Sequence, residues 1–429
     1  MKKSVHIIYI AEDGVSSLVC GVGTIVHNFL LSFDKIASNF EKHSVVLRLS
    51  IISLKYKKTD IGFRPDFLKR SADLCKFYKG SLILIDKPNN HSSDYFNFSN
   101  WKILNRKVRF ILKEIFSKND DLTVIISNDT IFAESYFVES KVINIWLPNS
   151  LGILHKQSYV QQPKRISWEL SAMNRSKKEN FFIGSVSRYI FKIIIQKYDL
   201  NPNKVLSLHN GFNLSSLKLF LRNDFEISSY LKKRKIPLDK NIIFCFARAD
   251  EYKGLDVALK AMLKISRKYG LHPVLIASKF SDEKFIENIQ EQLKFIANKS
   301  QQPVSLFFDY EFELPKYLLQ YKRVKYLLNM PKNDFCPLVP FEAEILGHRD
   351  LCVVNSNIAC IRDVITDMQD GFLCLPASKH IVKKIAKIFD LSPDVRNTII
   401  ASGKARALKA MDIKKSYLAT LKMLIDTNI

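Results

Sequence analysis

The sequence predicts an α/β protein built on two doubly wound parallel sheets. Short, near-continuous runs of Val, Ile, Leu and Phe alternate with amphipathic segments along the whole chain. Such runs are typical of parallel strands that helices cover on both faces. The number of runs is too large for one open parallel sheet, so we expect two sheets.

The predicted strands fall into two series. The first series is 5–11, 44–52, 81–86, 123–128, 142–147, 181–187 and 205–209, and the second is 242–247, 274–278, 304–309, 325–330 and 351–355. The predicted helices between them are 24–40, 101–117, 255–269, 281–298, 339–347 and 379–389. The first apolar run stops at Glu12 without a small-residue cleavage site. That ending favours a buried first strand over a signal peptide.

The two series divide the chain into domains. We expect an N-terminal domain over 1–212, a linker over 213–240 and a second domain over 241–410. The linker is placed where polar residues and the basic run 232–235 interrupt the pattern of strands and helices. The final segment, 411–429, is predicted to be a helix. Nothing follows this helix for it to pack against, so we expect it to cross back to the first domain.

The composition is that of an ordinary globular protein with a strong positive charge. The chain has 429 residues, 47% of them hydrophobic, and 66 Lys and Arg against 42 Asp and Glu give a net charge of +24. These values exclude disordered, collagen-like and low-complexity proteins, and no apolar run approaches the ~20 residues of a bilayer span. We expect a cytoplasmic protein with an anionic partner. Nucleic acid, anionic lipid and phosphorylated sugar carriers all fit the charge alone.

The cysteines and the basic residues exclude two further classes. Seven cysteines contain no C-x-x-C pair, which indicates reduced, mostly buried thiols and no metal site. The basic residues are scattered, and no helix-turn-helix, RRM or zinc pattern accompanies them. We therefore expect no nucleic-acid partner.

Two cations follow the predicted strand 242–247. Arg248 and Lys253 are five residues apart, at the mouth of the strand and just before a helix. Arg binds phosphate oxygens through its forked guanidinium, Lys binds them as a point charge, and a helix N-terminus adds its dipole. The pair therefore predicts an anion site. A solvated loop with two unrelated cations is the alternative.

Two acidic side chains follow the predicted strand 325–330. Asp334 lies in the loop, and Glu342 lies eight residues later in the first turns of a helix. Carboxylates in such places accept hydrogen bonds from sugar or ribose hydroxyls. The alternative is that acids early in a helix only favour its positive N-terminal end, and this alternative fits Glu344 best.

These motifs resemble family 4 (group 1) of the retaining glycosyltransferases, which have the GT-B fold. Arg248, Lys253 and Gly254 match the family's Arg-x4-Lys-Gly signature, and Asp334 and Glu342 match its Glu-x7-Glu motif. The resemblance implies two facing doubly wound Rossmann-like domains with a cleft between them. It also implies that Arg248 and Lys253 hold the donor diphosphate. In the same pattern, Asp334 lies against the transferred sugar and Glu342 holds the nucleotide ribose.

Other positions carry the same resemblance. Gly21 and Gly23 match a glycine loop in which the family brings its backbone close to the donor phosphate and the acceptor. Leu338 and Val339, at the start of the predicted helix 339–347, are implied to bind the donor.

A further match lies in the first domain. Asn149 opens an Asn-Ser-Leu-Gly segment that resembles the family's His-Ser-Leu-Gly, which implies a contact with the sugar or the acceptor. His155 lies six residues further on and would substitute for the missing histidine if the loop folds back. An exposed loop histidine is the alternative.

Three residues depart from the family pattern. Asp334 is one methylene shorter than Glu, Pro337 replaces a flexible glycine, and Asn149 cannot take up a proton near neutrality. Two functions therefore stay open. The first is a retaining enzyme that transfers a sugar to a cell-surface glycan, a lipid-linked acceptor or another anionic acceptor in polysaccharide or lipopolysaccharide biosynthesis. The second is a catalytically weak or inactive partner subunit that binds nucleotide or glycan without turnover.

The resemblance also implies the reaction's requirements. The donor is a nucleotide sugar linked to UDP or GDP, and the donor's own phosphate acts as the base toward the acceptor. Arg248 and Lys253 then stabilise the charge on the leaving diphosphate. We expect no metal ion and no other cofactor.

The predicted helix 101–117 carries a basic flank beside an apolar stripe. The flank consists of Lys102, Arg106, Arg109 and Lys113. Such a helix could rest on an anionic membrane. The protein would then be peripheral on the inner face of the cell membrane. The alternative is a sheet-covering helix with a solvated basic side. A second basic stretch of the first domain, from which we expect an anionic acceptor, contains Lys156, Lys164, Arg165, Arg175, Lys177 and Lys178.

Overall fold

The computed structural model describes residues 3–88, 96–117, 121–154, 163–281 and 284–428. The chain divides into two compact units. Unit 1 consists of Met1–Asn213 and Asp412–Ile429, and unit 2 is Leu214–Met411.

The strands coincide with the apolar runs of the sequence. They are β1 (Lys3–Ala11), β2 (Val45–Lys55), β3 (Leu82–Asp86), β4 (Leu122–Asn128), β5 (Val142–Leu147), β6 (Phe181–Ser185), β7 (Val205–Ser207), β8 (Ile242–Arg248), β9 (His272–Ser278), β10 (Ser305–Phe307), β11 (Val324–Asn329), β12 (Cys352–Ser356) and β13 (Phe372–Cys374). Each predicted strand is present, and β13 is an additional short one.

Most helices lie between successive strands, and the last three follow β13. They are α1 (Gly21–Glu41), α2 (Pro65–Phe77), α3 (Phe98–Phe116), α4 (Pro163–Arg175), α5 (Arg188–Tyr198), α6 (Leu214–Leu217), α7 (Asp224–Lys233), α8 (Leu255–Tyr269), α9 (Lys284–Ser300), α10 (Leu314–Gln320), α11 (Val339–Leu346), α12 (Ala359–Arg362), α13 (Ser378–Phe389), α14 (Pro393–Ala410) and α15 (Ile413–Asn428).

Each unit contains one parallel sheet. In the part of the chain that the structure describes, unit 1 has seven strands in the order β3-β2-β1-β4-β5-β6-β7. Unit 2 has six strands in the order β10-β9-β8-β11-β12-β13. The strand order reverses between β1 and β4 in the first sheet and between β8 and β11 in the second. Both sheets are therefore doubly wound, as the sequence predicts.

The helix α3 covers one face of the unit 1 sheet. Its side chains Trp101, Leu104, Val108 and Leu112 are buried in one apolar cluster with residues of β1, β2 and β3. The apolar stripe that the sequence shows on this helix is thus packed in the core, while its basic flank and the exposed side chains of Ile103 and Phe110 lie outside it.

The segment predicted as a linker, 213–240, contains helical structure and groups with unit 2. Its main helix, α7, begins with a capping box in which Asn223 and Glu226 each bond the other's backbone N–H. Lys232 and Lys233 end the helix, where positive charge is favourable. The basic run that we interpreted as an interruption is therefore the last turn of a helix.

The final helix, α15, packs in unit 1. Its Tyr417 is fully buried, and the Tyr417 hydroxyl lies 3.1 Å from the hydroxyl of Tyr9 on β1. The ring of Phe29 on α1 lies between the two tyrosines, with centroid distances of 4.5 Å to Tyr9 and 4.6 Å to Tyr417. Thr420 donates to the Ser207 carbonyl at the end of β7. The C-terminal segment is thus a structural part of unit 1.

Shortening Tyr417 should destabilise unit 1 in two steps. Tyr417→Phe removes one hydroxyl and leaves the buried Tyr9 hydroxyl without it, so we expect a loss of about 0.5–1.5 kcal/mol in the free energy of unfolding. Tyr417→Ala also empties a ring-sized space and should cost about 3–5 kcal/mol. Urea denaturation measures both, with Met423→Ala, an exposed position of the same helix, as the control. Equal effects of Tyr417→Ala and Met423→Ala would contradict the role of α15.

Candidate active site

The carboxyl ends of β8 and β11 form the point where the strand order of unit 2 reverses. Open parallel sheets bind their ligands outside the carboxyl ends of the strands at such a point. Arg248 is the last residue of β8, and Lys253 lies in the turn that follows it. Asp334 lies in the loop that follows β11, so the structure brings these predicted residues to one edge of the sheet.

Gly254 allows the turn after β8 to approach the chain that leaves β11. Its backbone is left-handed, with a φ of 64°, and a Cβ atom at this position would lie 2.0 Å from the carbonyl oxygen of Met330. Any other residue would therefore push the two loops apart. The glycine of the Arg-x4-Lys-Gly signature is explained by this close packing.

Lys253 and Asp334 form an ion pair that joins the two loops. The Lys253 ammonium donates to Asp334 Oδ2 at 2.7 Å, and Asp334 Oδ1 accepts the Phe335 N–H at 2.8 Å. Their side chains are only 20% and 10% exposed. Burial opposes the charged form of Lys253, but the Asp334 carboxylate outweighs it and raises the pKa of Lys253 above its usual value. The ammonium therefore stays charged at the sheet edge.

Arg248 is held by three neighbours that the sequence analysis did not single out. Its guanidinium donates to the Tyr252 hydroxyl at 2.7 Å and lies 3.5 Å from Asp250 Oδ2. It also lies 4.6 Å from the centre of the Phe280 ring, in cation–π contact. Burial raises the pKa of Asp250, although the charge of Arg248 opposes the shift. Asp250 Oδ1 has no hydrogen-bond partner among the described residues.

Glu342 lies in the first turn of α11, and Leu338 and Val339 begin that helix. Its Oε1 atom is 3.7 Å from the Lys316 ammonium, which lies 3.7 Å from the centre of the Phe312 ring. No side chain caps α11, and Leu338 and Val339 are half-buried. The first N–H groups of a helix lack intrahelical partners and attract anions. The start of α11 therefore offers backbone donors beside a carboxylate.

Glu344 has a structural role. Its carboxylate accepts from Arg406 on α14 at 2.7 Å, and Arg406 Nε lies 3.1 Å from Asp370 Oδ2. Burial raises the pKa of Glu344 to about 8, against the opposing effect of Arg406. Glu344 thus attaches α11 to α14. It is the sixth of the eight residues of α11, so the helix dipole does not explain its place, whereas this contact does.

The loop after β1 in unit 1 is organised by one buried carboxylate. Asp13 Oδ1 accepts the Gly14 N–H at 2.8 Å and the Ser17 hydroxyl at 2.5 Å. Asp13 Oδ2 accepts the Val19 and Cys20 N–H groups at 2.9 and 3.2 Å. Burial raises the pKa of Asp13, and these four donors oppose the shift. They fix the path of the chain into α1.

The two glycines that we predicted to bind the donor have different surroundings. A Cβ atom on Gly23 would lie 2.1 Å from Asp13 Oδ2, whereas a Cβ atom on Gly21 would meet nothing within 4 Å. Gly23 is therefore required by the packing of the Asp13 loop. Gly21, the first residue of α1, is the one with open space beside it.

Asn149 and Asn128 lie together at the carboxyl ends of β5 and β4. Asn149 Nδ2 donates to Asn128 Oδ1 at 2.6 Å, and both side chains are buried. Asn149 Oδ1 and Asn128 Nδ2 have no partner among the described residues. Asp129, which follows Asn128, has a φ of 78° and a ψ of 163°, a conformation that is rare outside glycine. Backbone strain of this kind is characteristic of functional sites.

A buried ion pair holds the loop that begins at Asn149. Arg165 on α4 donates to Glu169 at 2.7 Å and to Ser150 Oγ at 2.8 Å. Both carboxylate oxygens of Glu169 accept the Gly152 N–H, at 3.0 and 2.9 Å. The loop is thereby fixed to α4. His155, the predicted substitute for the missing histidine, lies outside the described residues.

A comparison with known protein families identifies the chemistry of unit 2. Residues 226–406 match the model of the family "Glycosyl transferases group 1". This chain carries a group 1 glycosyltransferase domain. The enzyme class expected from Arg248, Lys253 and Glu342 is therefore confirmed at the level of the group, and membership of family 4 stays a prediction.

Solved structures show that the whole glycosyltransferase has the GT-B fold. Sucrose-phosphate synthase from Thermosynechococcus elongatus has a TM-score of 0.71 and 13% identity, over 99% of this chain and all of that one. HepE from Anabaena has a TM-score of 0.66 and 12% identity, over 97% and 98% of the two chains. A glycosyltransferase from Rickettsia africae has a TM-score of 0.63 and 13% identity, over 99% of each chain. A search of curated proteins found no match.

The glycosyltransferase has further residues that no motif marked. Asp13 and Asp250 each follow the central strand of a sheet by two positions, and a polar residue there is a usable signal because loops at this edge bind ligands. Tyr252 lies between two signature residues, whereas Phe280 follows β9 and is far away in sequence. Within the described residues, no group of three or more His, Cys, Asp or Glu is placed to hold a metal ion.

Gly23→Ala and Gly21→Ala should separate packing from ligand approach. The new methyl of Gly23→Ala displaces the Asp13 carboxylate and breaks hydrogen bonds, so the free energy of unfolding should fall by about 1–3 kcal/mol. Gly21→Ala should leave it unchanged or raise it by up to about 1 kcal/mol, because alanine favours a helix. Urea denaturation of the glycosyltransferase measures both. A fall for Gly21→Ala as large as that for Gly23→Ala would contradict the assignment.

Proposed function

We propose that this glycosyltransferase is a retaining enzyme that transfers a sugar from a nucleotide-sugar donor, bound in unit 2, to a glycan or lipid-linked acceptor. One observation carries the donor part. Arg248 and Lys253, both charged, lie at the switch point of the unit 2 sheet. The family match over 226–406 supports the reaction class.

The donor diphosphate is assigned to Arg248 and Lys253. Arg248 offers a forked donor, while Lys253 offers a point charge that Asp334 keeps protonated. The first N–H groups of α11, at Leu338 and Val339, add the positive end of a helix. Glu342 is the acceptor for ribose hydroxyls. Asp334 positions the Lys253 ammonium. Its effect on the sugar is therefore indirect, through that lysine.

The bond changes need no protein nucleophile. The bond between the sugar's anomeric carbon and the diphosphate breaks, and a bond to the acceptor hydroxyl oxygen forms on the same face. The hydroxyl proton passes to the leaving diphosphate, which is the base. Lys253 and Arg248 stabilise the negative charge that develops on that diphosphate. The absence of a histidine at Asn149 is compatible with this route.

We place the sugar or the acceptor against Asn128 and Asn149 in unit 1. The pair leaves one donor, Asn128 Nδ2, and one acceptor, Asn149 Oδ1, without partners among the described residues. A sugar hydroxyl both donates and accepts a hydrogen bond, so one hydroxyl satisfies both. This arrangement recognises a hydroxyl without taking its proton.

The donor nucleotide is proposed to be UDP or GDP, with UDP the first to test. Structures of HepE from Anabaena contain UDP with glucose and UDP-glucose.

The acceptor class and the location stay predictions. No helix in the described part of the chain combines the length and hydropathy needed to cross a bilayer. An anionic membrane surface and an anionic acceptor, as in polysaccharide or lipopolysaccharide biosynthesis, both fit the charge of +24. The cytoplasmic location is a separate prediction. The apolar stripe of α3 is buried in the core, so it does not support contact with a membrane.

A donor screen tests the reaction. Nucleotide release is measured across UDP-, GDP-, ADP- and CMP-sugars for the wild type, Lys253→Ala and Glu342→Ala. We expect slow hydrolysis of one donor by the wild type and a rate of hydrolysis at least about 100-fold lower in both variants. Lys253→Ala removes charge stabilisation in the transition state, and in Glu342→Ala the donor is no longer held. Lys260→Ala is the control, since its half-exposed side chain only pairs with Asp256 on α8.

The screen also separates the two functions that the sequence left open. Lys253-dependent nucleotide binding without release of any nucleotide, with acceptor extracts added, would identify the inactive partner subunit instead. No nucleotide binding at all would contradict both functions.

Metal removal should leave the reaction unchanged. The charge of the leaving diphosphate is met by Arg248 and Lys253, so EDTA should not slow nucleotide release by more than about twofold. The measurement is the rate of donor hydrolysis with EDTA and with added Mg²⁺ or Mn²⁺. A rate abolished by EDTA and restored by one of these ions would contradict metal-independent transfer.

A further inference from the structure

A groove of about 800 Å³ lies between α3 and α4 in unit 1. We call it the basic groove. It is separate from the sheet-edge residues described above, and its lining takes most of the basic flank of α3 and one residue, Lys164, of the second basic stretch. The lining side chains that matter here are Phe98, Lys102, Arg106, Arg109, Lys164 and Trp168.

The basic groove concentrates positive charge. Lys102, Arg106 and Arg109 line it from α3, and Lys164 lines it from α4. Within the described residues, no carboxylate forms an ion pair with any of these four cations. The one acid of the lining, Glu134, is neutralised by Arg175 at 2.8 Å. Like charges brought together without counter-charges favour binding of an anion.

One wall of the basic groove is aromatic and rigid. Trp168 is half-buried, and its indole N–H donates to the Thr130 carbonyl at 2.9 Å. The rings of Phe98 and Trp101 pack against it at centroid distances of 6.4 and 5.8 Å. A fixed aromatic ring offers an apolar surface to the C–H face of a pyranose.

The hydroxyls of Ser167 and Ser171 also line the basic groove, and that of Ser171 is already bonded to Glu134 and Arg175. They donate and accept hydrogen bonds as sugar hydroxyls do. Cations, an aromatic ring and hydroxyls in one concave site match a saccharide that carries negative charge. The cavity has the usual volume for a ligand of several rings.

We propose that the basic groove binds an acidic oligosaccharide, whose phosphate or carboxylate groups meet the cations of α3 and α4 and one of whose rings packs on Trp168. The identification of this saccharide as the acceptor rests on the proposed function. Binding in the basic groove does not require the donor or turnover.

The position of the basic groove agrees with an acceptor. Lys164 directly precedes Arg165, which bonds Ser150 in the loop of Asn149. Trp168 is bonded to Thr130, the residue after the strained Asp129. The wall of the basic groove is thus bonded, through Ser150 and Thr130, to the loops that carry Asn149 and Asn128.

The competing occupant is an anionic membrane. Ile103 and Phe110 of α3 are 42% and 64% exposed, and exposed apolar residues beside cations are features of membrane-bound helices. A concave site between two helices favours a discrete ligand, because a membrane contacts protruding surfaces. The test therefore includes vesicles.

The experiment measures binding to the full chain without donor. The probes are hexagalacturonate, singly phosphorylated maltohexaose, neutral maltohexaose, and vesicles of phosphatidylcholine with and without phosphatidylglycerol. Affinities come from calorimetry. Acrylamide quenching gives the place of binding, because Trp101 and Trp146 are buried and Trp168 is the partly exposed tryptophan of the three.

We expect both acidic hexasaccharides to bind at least tenfold more tightly than maltohexaose and to protect Trp168 from acrylamide. Lys102→Glu/Arg106→Glu should weaken acidic binding at least tenfold. Lys232→Glu/Lys233→Glu, on α7 in unit 2, changes the net charge equally and should weaken it less than twofold. Unchanged circular dichroism and melting temperature show that both variants fold.

Four results would overturn the proposal: equal affinity for neutral maltohexaose, equal loss in the two double variants, acidic binding that leaves Trp168 accessible, or binding to anionic vesicles with no binding to any oligosaccharide. Failure of donor hydrolysis in the wild type would overturn the proposed function and would leave the oligosaccharide measurement standing. The two failures are therefore distinguishable.

Discussion

The ion pair between Lys253 and Asp334 is the contact on which the proposed donor site depends. It joins the turn after β8 to the loop after β11 at 2.7 Å, across the point where the strand order of unit 2 reverses. Gly254 makes this possible, because any Cβ there would overlap the Met330 carbonyl. The pair keeps a mostly buried ammonium charged in the absence of donor. In the proposed function, the positive charge is therefore in place before the diphosphate binds. Binding then requires little reorganisation of the protein.

Each unit has a buried aspartate in a loop that follows one of its strands. Asp13 and Asp250 each follow the central strand of their sheet by two residues, and burial raises the pKa of both. Asp13 binds backbone donors and shapes a loop, while Asp250 pairs with Arg248. In one unit the carboxylate therefore fixes the main chain, and in the other it orients a cation. Hydrogen bonds to Asp13 and the charge of Arg248 beside Asp250 offset part of the cost of burial.

The strands were predictable because parallel strands covered on both faces are nearly continuous apolar runs, and every predicted run forms one. β13 was missed because three residues are too short to show a period. The helices that were missed as well include α2, α5, α6, α7, α10, α12 and α14. In α14 only Ile399, Gly403 and Ala407 are buried, so its apolar stripe is nearly invisible in the sequence. The capping box at Asn223 was a readable signal that the basic run obscured.

The site was predictable as far as motifs extend. Arg248, Lys253, Glu342 and Asp334 were found from their spacing after strands. The contacts within and around the candidate site were not, because those of Lys253 with Asp334 and of Glu344 with Arg406 join residues 81 and 62 positions apart. Only the fold creates such contacts. The same holds for the basic groove, whose cations lie on two helices that no spacing rule connects.

The most direct test is a crystal structure of the glycosyltransferase with its preferred nucleotide diphosphate. The account predicts diphosphate oxygens within hydrogen-bond distance of the Arg248 guanidinium and the Lys253 ammonium, at the carboxyl ends of β8 and β11. It also predicts that the ribose hydroxyls contact Glu342. A diphosphate bound elsewhere on the chain, with the Lys253–Asp334 pair and Glu342 untouched, would contradict it.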